Sequence, residues 1–385
     1  MMHVMITGGG TGGHIYPALA IAGGIESVCP EVEILYVGSA TGLEKDLAIR
    51  AGYHFQSISV AGLPRPISWR TVQCLWKNVK GVWEAKRIIK EFQPDLVVGT
   101  GGYACGPLML VAAKKKIPTL LHEQNAVMGV TNQILSKYVQ KICLTFPIIN
   151  ENFRQQNKTV QTGLPVRDCI LQADRKAGIH YFGLSEEKPV VMITGGSQGA
   201  LHLNQSVAAI WQKILAAGGQ IIHIAGPKLM DEMVEQARQQ GFQMQKDQQG
   251  NIYLPEKGFL LLSYLHEMEH AFGAADVVIG RAGASFLAEL MAVGRSSILI
   301  PYPYATGNHQ EANAKLLVEH DAAKMILDQD LNADTLWQEL RPLLEDEKQR
   351  EKMASACKTL GRPHAVADIL AQAEQIVPDW PRKKV

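Results

Sequence analysis

The sequence predicts an α/β protein of two similar lobes, each a parallel sheet of the Rossmann type covered by helices. Two glycine-rich turns carry this prediction, because Met-Ile-Thr-Gly-Gly occurs at 5–9 and again at 192–196, each time ending a short apolar run. A buried strand, a glycine turn and a helix start form the first unit of such a sheet. The length of 385 residues also exceeds one core of ordinary size, so two domains are expected.

Composition is typical of a globular protein and excludes several classes. The chain is 46% hydrophobic and 19% charged, and its 38 basic and 37 acidic residues nearly balance, which argues against a general nucleic-acid binder. The six cysteines lie far apart without a Cys-x-x-Cys pair, so we expect reduced thiols in a cytoplasmic protein. No run approaches the ~18–20 apolar residues of a membrane span, and we expect no signal peptide.

Apolar strand-like runs alternate with helical runs along both halves, as in stacked βαβ units. The pattern pauses near 161–167, where we place the domain junction. We therefore expect an N-terminal domain at 1–164, a C-terminal domain at 165–361, and a terminal helix within 362–385 that packs back on the first domain. The expected strands are 4–6, 33–37, 57–60, 95–99, 118–122, 141–144, 189–193, 220–224, 251–254, 276–280, 297–300 and 324–327.

The unusual residues follow the carboxyl ends of expected strands, where open parallel sheets bind ligands. They are the glycine turns, a glycine-rich segment at 99–107, His-Glu-Gln-Asn at 122–125, and polar loops at 280–285 and 301–311. Glycines let a phosphate approach the backbone, and free N–H groups at a helix start attract anions. We expect these loops from both lobes to face one cleft.

The spacing Gly8-x-Gly10-x-x-Gly13 matches the dinucleotide fingerprint, but one requirement of that fingerprint is not met. A nicotinamide enzyme needs an acidic residue at the end of the second strand to hold the ribose, and here that strand ends in Gly38 and Ser39. A P-loop is also excluded, because no Gly-Lys-Ser/Thr follows either glycine run. A phosphate site without a dinucleotide cofactor remains the prediction.

Six motifs, in chain order, resemble those of the MurG family of glycosyltransferases. They are Gly-Gly-Thr-Gly-Gly-His (9–14), Gly-Gly-Tyr-x-x-Gly-Pro (101–107), His-Glu-Gln-Asn (122–125), Pro-Val-Arg (165–167), Gly-Gly-Ser-Gln-Gly-Ala (195–200) and Arg-x-Gly-Ala (281–284), the last followed by Glu289. The resemblance runs from residue 9 to about 313. Leu164 departs from it, since the family usually has Asn before Pro-Val-Arg.

The resemblance implies a GT-B architecture, in which two Rossmann-like parallel-sheet domains face an interdomain cleft. It implies an inverting enzyme that moves N-acetylglucosamine (GlcNAc) from UDP-GlcNAc to the 4-hydroxyl of undecaprenyl-diphosphate-linked MurNAc-pentapeptide, without a cofactor or an essential metal. This step converts lipid I to lipid II in peptidoglycan synthesis, at the cytoplasmic face of the cell membrane and alongside other cell-wall synthesis proteins.

By the same resemblance, the second domain holds most of the donor and the first holds the acceptor. Ser197, expected at a helix start, offers its hydroxyl and N–H to the diphosphate, and Glu289, about one turn into a helix, takes the ribose hydroxyls. Acceptor contacts are expected at Gly101, Gly102 and Tyr103, with a packing role as the alternative for Tyr103. The UDP-GlcNAc residues implied are Thr11, Gly12, Gly13, Asn125, Arg167, Ser197, Gln198, Leu265, Arg281, Ala284, Ser285, Glu289 and Gln310.

The chemistry requires a base for the acceptor hydroxyl and stabilisation of departing UDP. An imidazole suits the first task, so His14 is the first candidate, Glu123 the second, and His122 their orienting partner. Glu123 has an alternative role, since a buried carboxylate also satisfies loop N–H groups. Helix-start N–H groups near Ser197, with Arg281, are expected to stabilise the diphosphate. The Asp-Gln-Asp sequence at 328–330 is interpreted as a solvated turn, and no metal site is expected.

Residues 60–90 form a basic segment with seven Lys or Arg and one acid, Glu84. Trp69, Trp76 and Trp83 recur at heptad spacing along it. A basic helix with tryptophans on one side suits an anionic membrane surface, while core tryptophans under a solvated charged face are the alternative. The membrane contacts expected are Trp69, Arg70, Trp76, Lys77 and Lys80.

The residues alone leave three other functions open. Two are enzymatic: a GT-B transferase with a diacylglycerol acceptor, and a UDP-GlcNAc epimerase of similar fold. The pair of motifs at 101–107 and 122–125 argues against both. The third is a nucleotide-sugar-binding protein without catalysis, which the presence of His14 and Glu123 disfavours.

Overall fold

The computed structural model describes residues 1–62, 69–149, 153–242, 245–246, 251–254, 258–378 and 380. The chain forms two compact units. One consists of Met1–Pro165 together with His364–Val385, and the other of Val166–Pro363. Each unit is an α/β structure built on its own mainly parallel sheet, as the two glycine turns predict.

The described part of the first unit contains one seven-stranded parallel sheet in the order β3-β2-β1-β4-β5-β6-β7. The inner strand β1, third in this order, is apolar and almost wholly buried because helices cover both faces. β1 and β4 are neighbours, so the loops that follow them leave from the same edge. The strands are β1 (Met2–Thr7), β2 (Val32–Ser39), β3 (His54–Ile58), β4 (Leu96–Gly99), β5 (Thr119–Glu123), β6 (Lys141–Leu144) and β7 (Thr159–Gln161).

Side chains of β1 alternate between two hydrophobic cores, as the period of a strand requires. Val4 and Ile6 join the core that includes residues of α1 and α16, whereas Met5 joins the core that includes residues of α3 and α4. The sheet is thus packed on both faces, and ligands have access only at its edges. The helices of this unit are α1 (Gly12–Val28), α2 (Glu44–Arg50), α3 (Trp69–Phe92), α4 (Cys105–Lys114), α5 (Val130–Leu135) and α16 (Ala365–Ile376).

The described part of the second unit contains an eight-stranded sheet in the order β10-β11-β12-β9-β8-β13-β14-β15. The strands β12, β9, β8, β13, β14 and β15 run parallel, while β10 and β11 add an antiparallel edge. The strands are β8 (Val190–Thr194), β9 (Gln220–Ile224), β10 (Gln245–Lys246), β11 (Ile252–Leu254), β12 (Phe259–Leu262), β13 (Val277–Gly280), β14 (Ser296–Leu299) and β15 (Lys324–Met325).

The core of the second unit is centred on the fully buried Trp211, whose ring makes edge contacts with Phe242 and Phe259. Buried residues of β8, β9 and β13 complete the same core. The helices are α6 (Asp168–Leu171), α7 (Arg175–Phe182), α8 (Leu201–Ala208), α9 (Trp211–Ala216), α10 (Met230–Gln239), α11 (Met268–Ala274), α12 (Ala284–Val293), α13 (His309–Glu319), α14 (Ala333–Glu345) and α15 (Glu347–Leu360).

One expected strand has a different role from that predicted. The segment at 251–254 supplies β11, which pairs antiparallel with β12 at the sheet edge and is not a parallel strand. β9 lies between two parallel neighbours, β8 and β12, and β12 is absent from the expected strands, as is the short β7. The runs 252–254 and 259–262 are too close in sequence for a crossover helix between them. A prediction based on strand–helix alternation therefore cannot assign both runs as strands.

No helix in the described ranges combines the length and the apolar character needed to cross a membrane. The longest of those listed above is α3, in which lysines, arginines and acids interrupt the apolar residues.

The terminal helix α16 belongs to the first unit, where it packs against α1. Ile369, Leu370 and Ala373 of α16 are buried in the same core as Ile21 and Ile25 of α1. The approach is close at Gly24, because a Cβ atom there would overlap Val366 Cγ1. Gly23, one residue earlier, is exposed, and a Cβ atom there would meet only Tyr53 Oη at 3.9 Å.

These two glycines provide a matched test of the α1–α16 contact. We expect Gly24→Leu to lower the free energy of unfolding by about 1–3 kcal/mol, as overpacking does. Gly23→Leu gains the same helix propensity without the overlap, so its melting temperature should equal or exceed that of the wild type. Scanning calorimetry of both variants is the measurement, and equal melting temperatures would contradict the contact.

Candidate active site

The first glycine turn, residues 8–11, joins β1 to α1 and packs against the loop that follows β4. Gly9 N–H donates to Gly101 O at 3.3 Å, and a Cβ atom on Gly8 would overlap Thr100 Oγ1. A Cβ atom on Gly102 would likewise overlap Gly9 O, and Gly102 has a positive φ of 77°. Only glycine satisfies these positions, so the two loops fix each other at the carboxyl edge of the sheet.

His14, the third residue of α1, lies at the junction of these loops and is partly buried. Its Nδ1 lies 2.9 Å from Gln124 Oε1 and 3.1 Å from Thr100 O. A Cβ atom on Gly101 would come within 3.2 Å of the same Nδ1. The ring is therefore held on one side by β4 and β5 loop residues.

Glu123 ends β5, and its carboxylate is buried with 1% exposure. Oε2 accepts from Asn132 Nδ2 at 2.8 Å and from Gly129 N–H at 3.1 Å, while Oε1 accepts from Asn125 N–H at 3.1 Å. These bonds tie the loop 124–129 to α5 and occupy both carboxylate oxygens.

Tyr103 packs beside the first glycine turn. Its partly buried ring lies against Gly10 and Gly62, since a Cβ atom on either glycine would come within 3.5 Å of the ring. Gly10 also has a positive φ of 87°, so both conformation and space require glycine there.

In the second unit, residues 195–200 join β8 to α8 and form the second glycine turn. Gly199 has a positive φ of 76°, and a Cβ atom on it would overlap Ala225 O at the end of β9. Residues 196–198 at the tip are exposed. The turn therefore presents backbone and the Ser197 hydroxyl at the carboxyl edge.

Arg167 and Glu289 form an ion pair in the same unit. Nε and Nη2 of Arg167 each lie 2.9 Å from Glu289 Oε1. The Glu289 side chain is only 16% exposed, and burial raises the pKa of its carboxyl although Arg167 opposes that shift. Arg167 immediately precedes α6 and Glu289 lies in α12, so the pair connects the start of one helix to the other.

Arg281, in the loop after β13, is a partly buried cation with partners in two other loops. Its Nη1 donates to Asp328 Oδ1 at 2.5 Å and to the carbonyl oxygens of Ile300 and Pro301 at 3.2 and 3.1 Å. Asp328 also contacts His202 Nδ1 at 3.2 Å. Burial opposes ionisation of Asp328, but the Arg281 and His202 hydrogen bonds lower the pKa of its carboxyl.

Strand order brings the remaining donor candidates to one edge of the second sheet. The loops after β12, β8 and β13 contain Leu265, Ser197 and Arg281, and they leave from the same carboxyl edge as the loop after β14, to which Tyr302 belongs. Gln310 joins them from the start of α13, where its Oε1 accepts from Tyr302 N–H at 2.9 Å.

Comparisons with known proteins bear on this geometry. Residues 4–144 match the glycosyltransferase family 28 N-terminal domain, and residues 190–369 match the glycosyltransferase family 28 C-terminal domain. The UDP-N-acetylglucosamine–N-acetylmuramyl-(pentapeptide) pyrophosphoryl-undecaprenol N-acetylglucosamine transferase of Desulforamulus reducens is 44% identical over 98% of this chain and 99% of its own. The transferase of the same name from Desulfitobacterium hafniense is 45% identical over 96% and 98% of the two chains.

A solved structure agrees with these relatives. The crystal structure of Acinetobacter baumannii MurG superimposes with a TM-score of 0.77 at 26% identity, over 97% of this chain and all of that one. The chain belongs to the MurG family. The resemblance inferred from the six motifs is thereby confirmed, as is the fold of two Rossmann-like parallel-sheet domains.

The first unit brings together the residues that the MurG resemblance assigns to it. Thr11, Gly12 and Gly13 form the start of α1, beside His14. Gly101, Gly102 and Tyr103 follow β4, and Asn125 follows β5, the next strand of the sheet. In the second unit Gln198 lies at the tip of the glycine turn, while Ala284 and Ser285 begin α12, the helix that carries Glu289.

Three sequence-based expectations differ from the structure. Ser197 is not at a helix start, because α8 begins only at Leu201 and the second turn is longer than the first. Asp328 is not in a solvated turn, since its side chain is 16% exposed and paired with Arg281. Arg281 is therefore engaged within the protein and is not a free cation for a diphosphate.

The assignment of Glu123 as an alternative base also changes. Its two oxygens accept the loop hydrogen bonds described above, and only 1% of the residue is exposed. The geometry supports the role of satisfying loop N–H groups and leaves His14 as the candidate base in this unit.

Two residues of the first site escape the sequence analysis. Gln124 lies within the His-Glu-Gln-Asn motif, but nothing local indicates that it contacts His14. Glu44 is fully buried and accepts from Ser39 N–H at 2.9 Å and Gly10 N–H at 3.5 Å. An acidic residue thus does follow the second strand, yet it holds backbone below the glycine turn. The sequence feature that could have indicated this contact is the position of Glu44, five residues after Ser39 at the end of β2.

Trp76 and Trp83 of α3 are exposed by 72% and 69%, and Val79 on the same face by 50%. The reading of these two tryptophans as core residues is therefore wrong. Lys77 and Lys80 are exposed on the same helix, and Lys86 Nζ lies 5.1 Å from the Trp83 ring centroid. The side chains of Trp69 and Arg70 lie outside the described residues.

No group of three or more His, Cys, Asp or Glu side chains in the described ranges is arranged to hold a metal ion.

The role of Glu123 is testable by Glu123→Gln. An amide offers one acceptor oxygen in place of two and turns its NH₂ toward N–H donors, so we expect a loss of about 1–3 kcal/mol in unfolding free energy. Glu91→Gln is the control, because Glu91 is 63% exposed and forms only a surface pair with Arg87. Denaturant unfolding that leaves both variants equally stable would contradict the structural role.

Proposed function

We propose that this protein transfers N-acetylglucosamine from UDP-GlcNAc to undecaprenyl-diphosphate-linked MurNAc-pentapeptide, acting at the cytoplasmic face of the cell membrane. Membership of the MurG family supports the proposal most strongly. The position of His14, an imidazole held at the carboxyl edge of the first sheet, supports it independently of sequence identity.

His14 acts as the general base in this proposal. The acceptor O–H bond breaks as its proton moves to the imidazole, and the oxygen forms a bond to the anomeric carbon of GlcNAc. The bond from that carbon to the diphosphate breaks, and UDP leaves with the electron pair, so the configuration inverts. A neutral imidazole suits this step because its ordinary pKa lies near physiological pH.

The second unit binds the donor and stabilises departing UDP. Residues 195–200 offer backbone N–H groups and the Ser197 hydroxyl to the diphosphate, where negative charge develops. Glu289 accepts from the ribose hydroxyls, and Arg167 holds that carboxylate in place through the 2.9 Å contacts. Leu265 and Ala284 contact the uracil, Gln310 the sugar, and Arg281 acts indirectly by supporting the loops around it.

The surface formed by Trp76, Val79, Trp83, Lys77 and Lys80 binds the anionic membrane that carries the acceptor. Trp76, Val79 and Trp83 form one apolar stripe, because residues three, four and seven apart share a helix face. Exposed aromatic groups beside lysines match the chemistry of a lipid headgroup region.

The activity is tested by transfer of labelled GlcNAc to a lipid I analogue in the presence of EDTA. We expect the wild type to be active and His14→Gln to lose about 10²–10⁴ in kcat, the usual contribution of a general base. UDP-GlcNAc affinity measured by calorimetry should not change in the variant. His180→Gln, an exposed histidine in the second unit, is the control.

Donor binding without transfer to lipid I would overturn the proposal and favour a protein that only binds the nucleotide sugar. Full transfer by His14→Gln would retain the activity but remove His14 as its base.

Membrane binding is tested by cosedimentation with anionic phospholipid vesicles. Each basic side chain near such a surface contributes about 1 kcal/mol, so Lys77→Glu with Lys80→Glu should weaken binding by at least about 30-fold. When Trp76→Ser and Trp83→Ser are added to that variant, vesicle binding should weaken further. The matched charge change Lys348→Glu with Lys352→Glu, exposed on α15, should leave binding intact, and an equal loss there would refute this surface.

A further inference from the structure

The amide of Gln124 has only one orientation compatible with its surroundings. Its Nε2 lies 2.9 Å from Thr100 O and 3.2 Å from His122 O. Carbonyl oxygens only accept, so this end of the side chain must be the NH₂ group. The opposite end, facing His14, is therefore the acceptor oxygen Oε1.

This orientation fixes the proton on His14. Nδ1 of His14 faces two acceptors, Gln124 Oε1 at 2.9 Å and Thr100 O at 3.1 Å. An acceptor cannot bond to a bare ring nitrogen, so Nδ1 carries the hydrogen. A neutral imidazole has one N–H, and the lone pair consequently lies on Nε2.

His122 completes the arrangement from the other side of Gln124. Its Nε2 lies 2.9 Å from Gly163 O and must donate, which leaves Nδ1 as an acceptor 3.0 Å from Gln124 Nε2. One N–H of the Gln124 amide is directed to Thr100 O, and the other is shared between His122 Nδ1 and His122 O. His122 is fully buried, and burial lowers the pKa of its imidazole to about 4. The ring is thus neutral at physiological pH, and it presents a lone pair to the amide.

We propose that Gln124 and His122 are positioning residues that hold His14 as the Nδ1–H tautomer and so make Nε2 the base nitrogen. This inference rests on the proposed function for the role of His14. In the transfer step the acceptor proton goes to Nε2, and Nδ1–H continues to donate to Gln124 Oε1. An amide oxygen is not a base, so no second proton moves.

The direct test is ¹⁵N NMR of the wild-type protein with labelled histidine, with His14→Gln used to assign the signal. At a pH where the His14 ring is neutral, we expect Nδ1 to give the shift of a protonated nitrogen and Nε2 that of a bare nitrogen. The reverse pattern, or an even mixture of tautomers, would overturn the proposal. This measurement needs no variant of Gln124 or His122.

Gln124→Met, which keeps the length of the side chain but removes its hydrogen bonds, is the second test. We expect His14 to lose its single tautomer and kcat to fall about 10- to 100-fold, less than loss of the base itself. The KM for UDP-GlcNAc should stay unchanged. Gln133→Leu, on the exposed face of α5, should leave both quantities and the tautomer unaltered.

The outcomes separate this inference from the proposed function. A protein that transfers GlcNAc but shows the Nε2–H tautomer keeps its function and refutes the positioning role. A protein that shows the Nδ1–H tautomer but does not transfer to lipid I keeps the arrangement and refutes the function. Unchanged kcat and tautomer in a folded Gln124→Met protein would also refute the positioning role.

Discussion

Close packing between two glycine loops is the constraint on which the first site depends. Gly8 and Gly102 each lie where any side chain would overlap the facing loop, and Gly9 N–H bonds to Gly101 O. The loops after β1 and β4 are thereby pressed together at one sheet edge. This contact brings Thr100 O within reach of both His14 and Gln124, so the orientation of the imidazole follows from a backbone contact.

The second unit has the same close packing of glycine loops at Gly199 and Gly226, because each of these residues lies against the backbone of the other's loop. The chemistry around the two turns differs, however. Below the first turn, the buried Glu44 side chain accepts from Gly10 N–H, so this N–H is already engaged within the protein. The second turn exposes residues 196–198, which suits its proposed contact with a diphosphate. The same fold element thus presents different groups in the two units.

Two ion pairs in the second unit involve candidate site residues and connect separate elements of the fold. Arg281 with Asp328 holds together the loops after β13, β14 and β15, and Arg167 with Glu289 joins α6 to α12. Arg281 and Asp328 are 12% and 16% exposed, and removing one member of such a largely buried pair leaves a poorly solvated charge without its partner, which costs more than the pair contributes. Substitutions at such positions therefore disturb loop geometry as well as any ligand contact.

The sequence by itself determined the α/β class, the two glycine turns, most strands and the family. These features are local: apolar runs bounded by glycine specify a buried strand and its turn, and motifs are contiguous. Only the tertiary structure decided which polar groups meet, because His14 and Gln124 lie 110 residues apart and Arg281 and Asp328 lie 47 apart. It also decided that Trp76 and Trp83 are exposed and that β11 is an antiparallel edge. Burial and strand pairing depend on neighbours distant in sequence, which a spacing pattern does not encode.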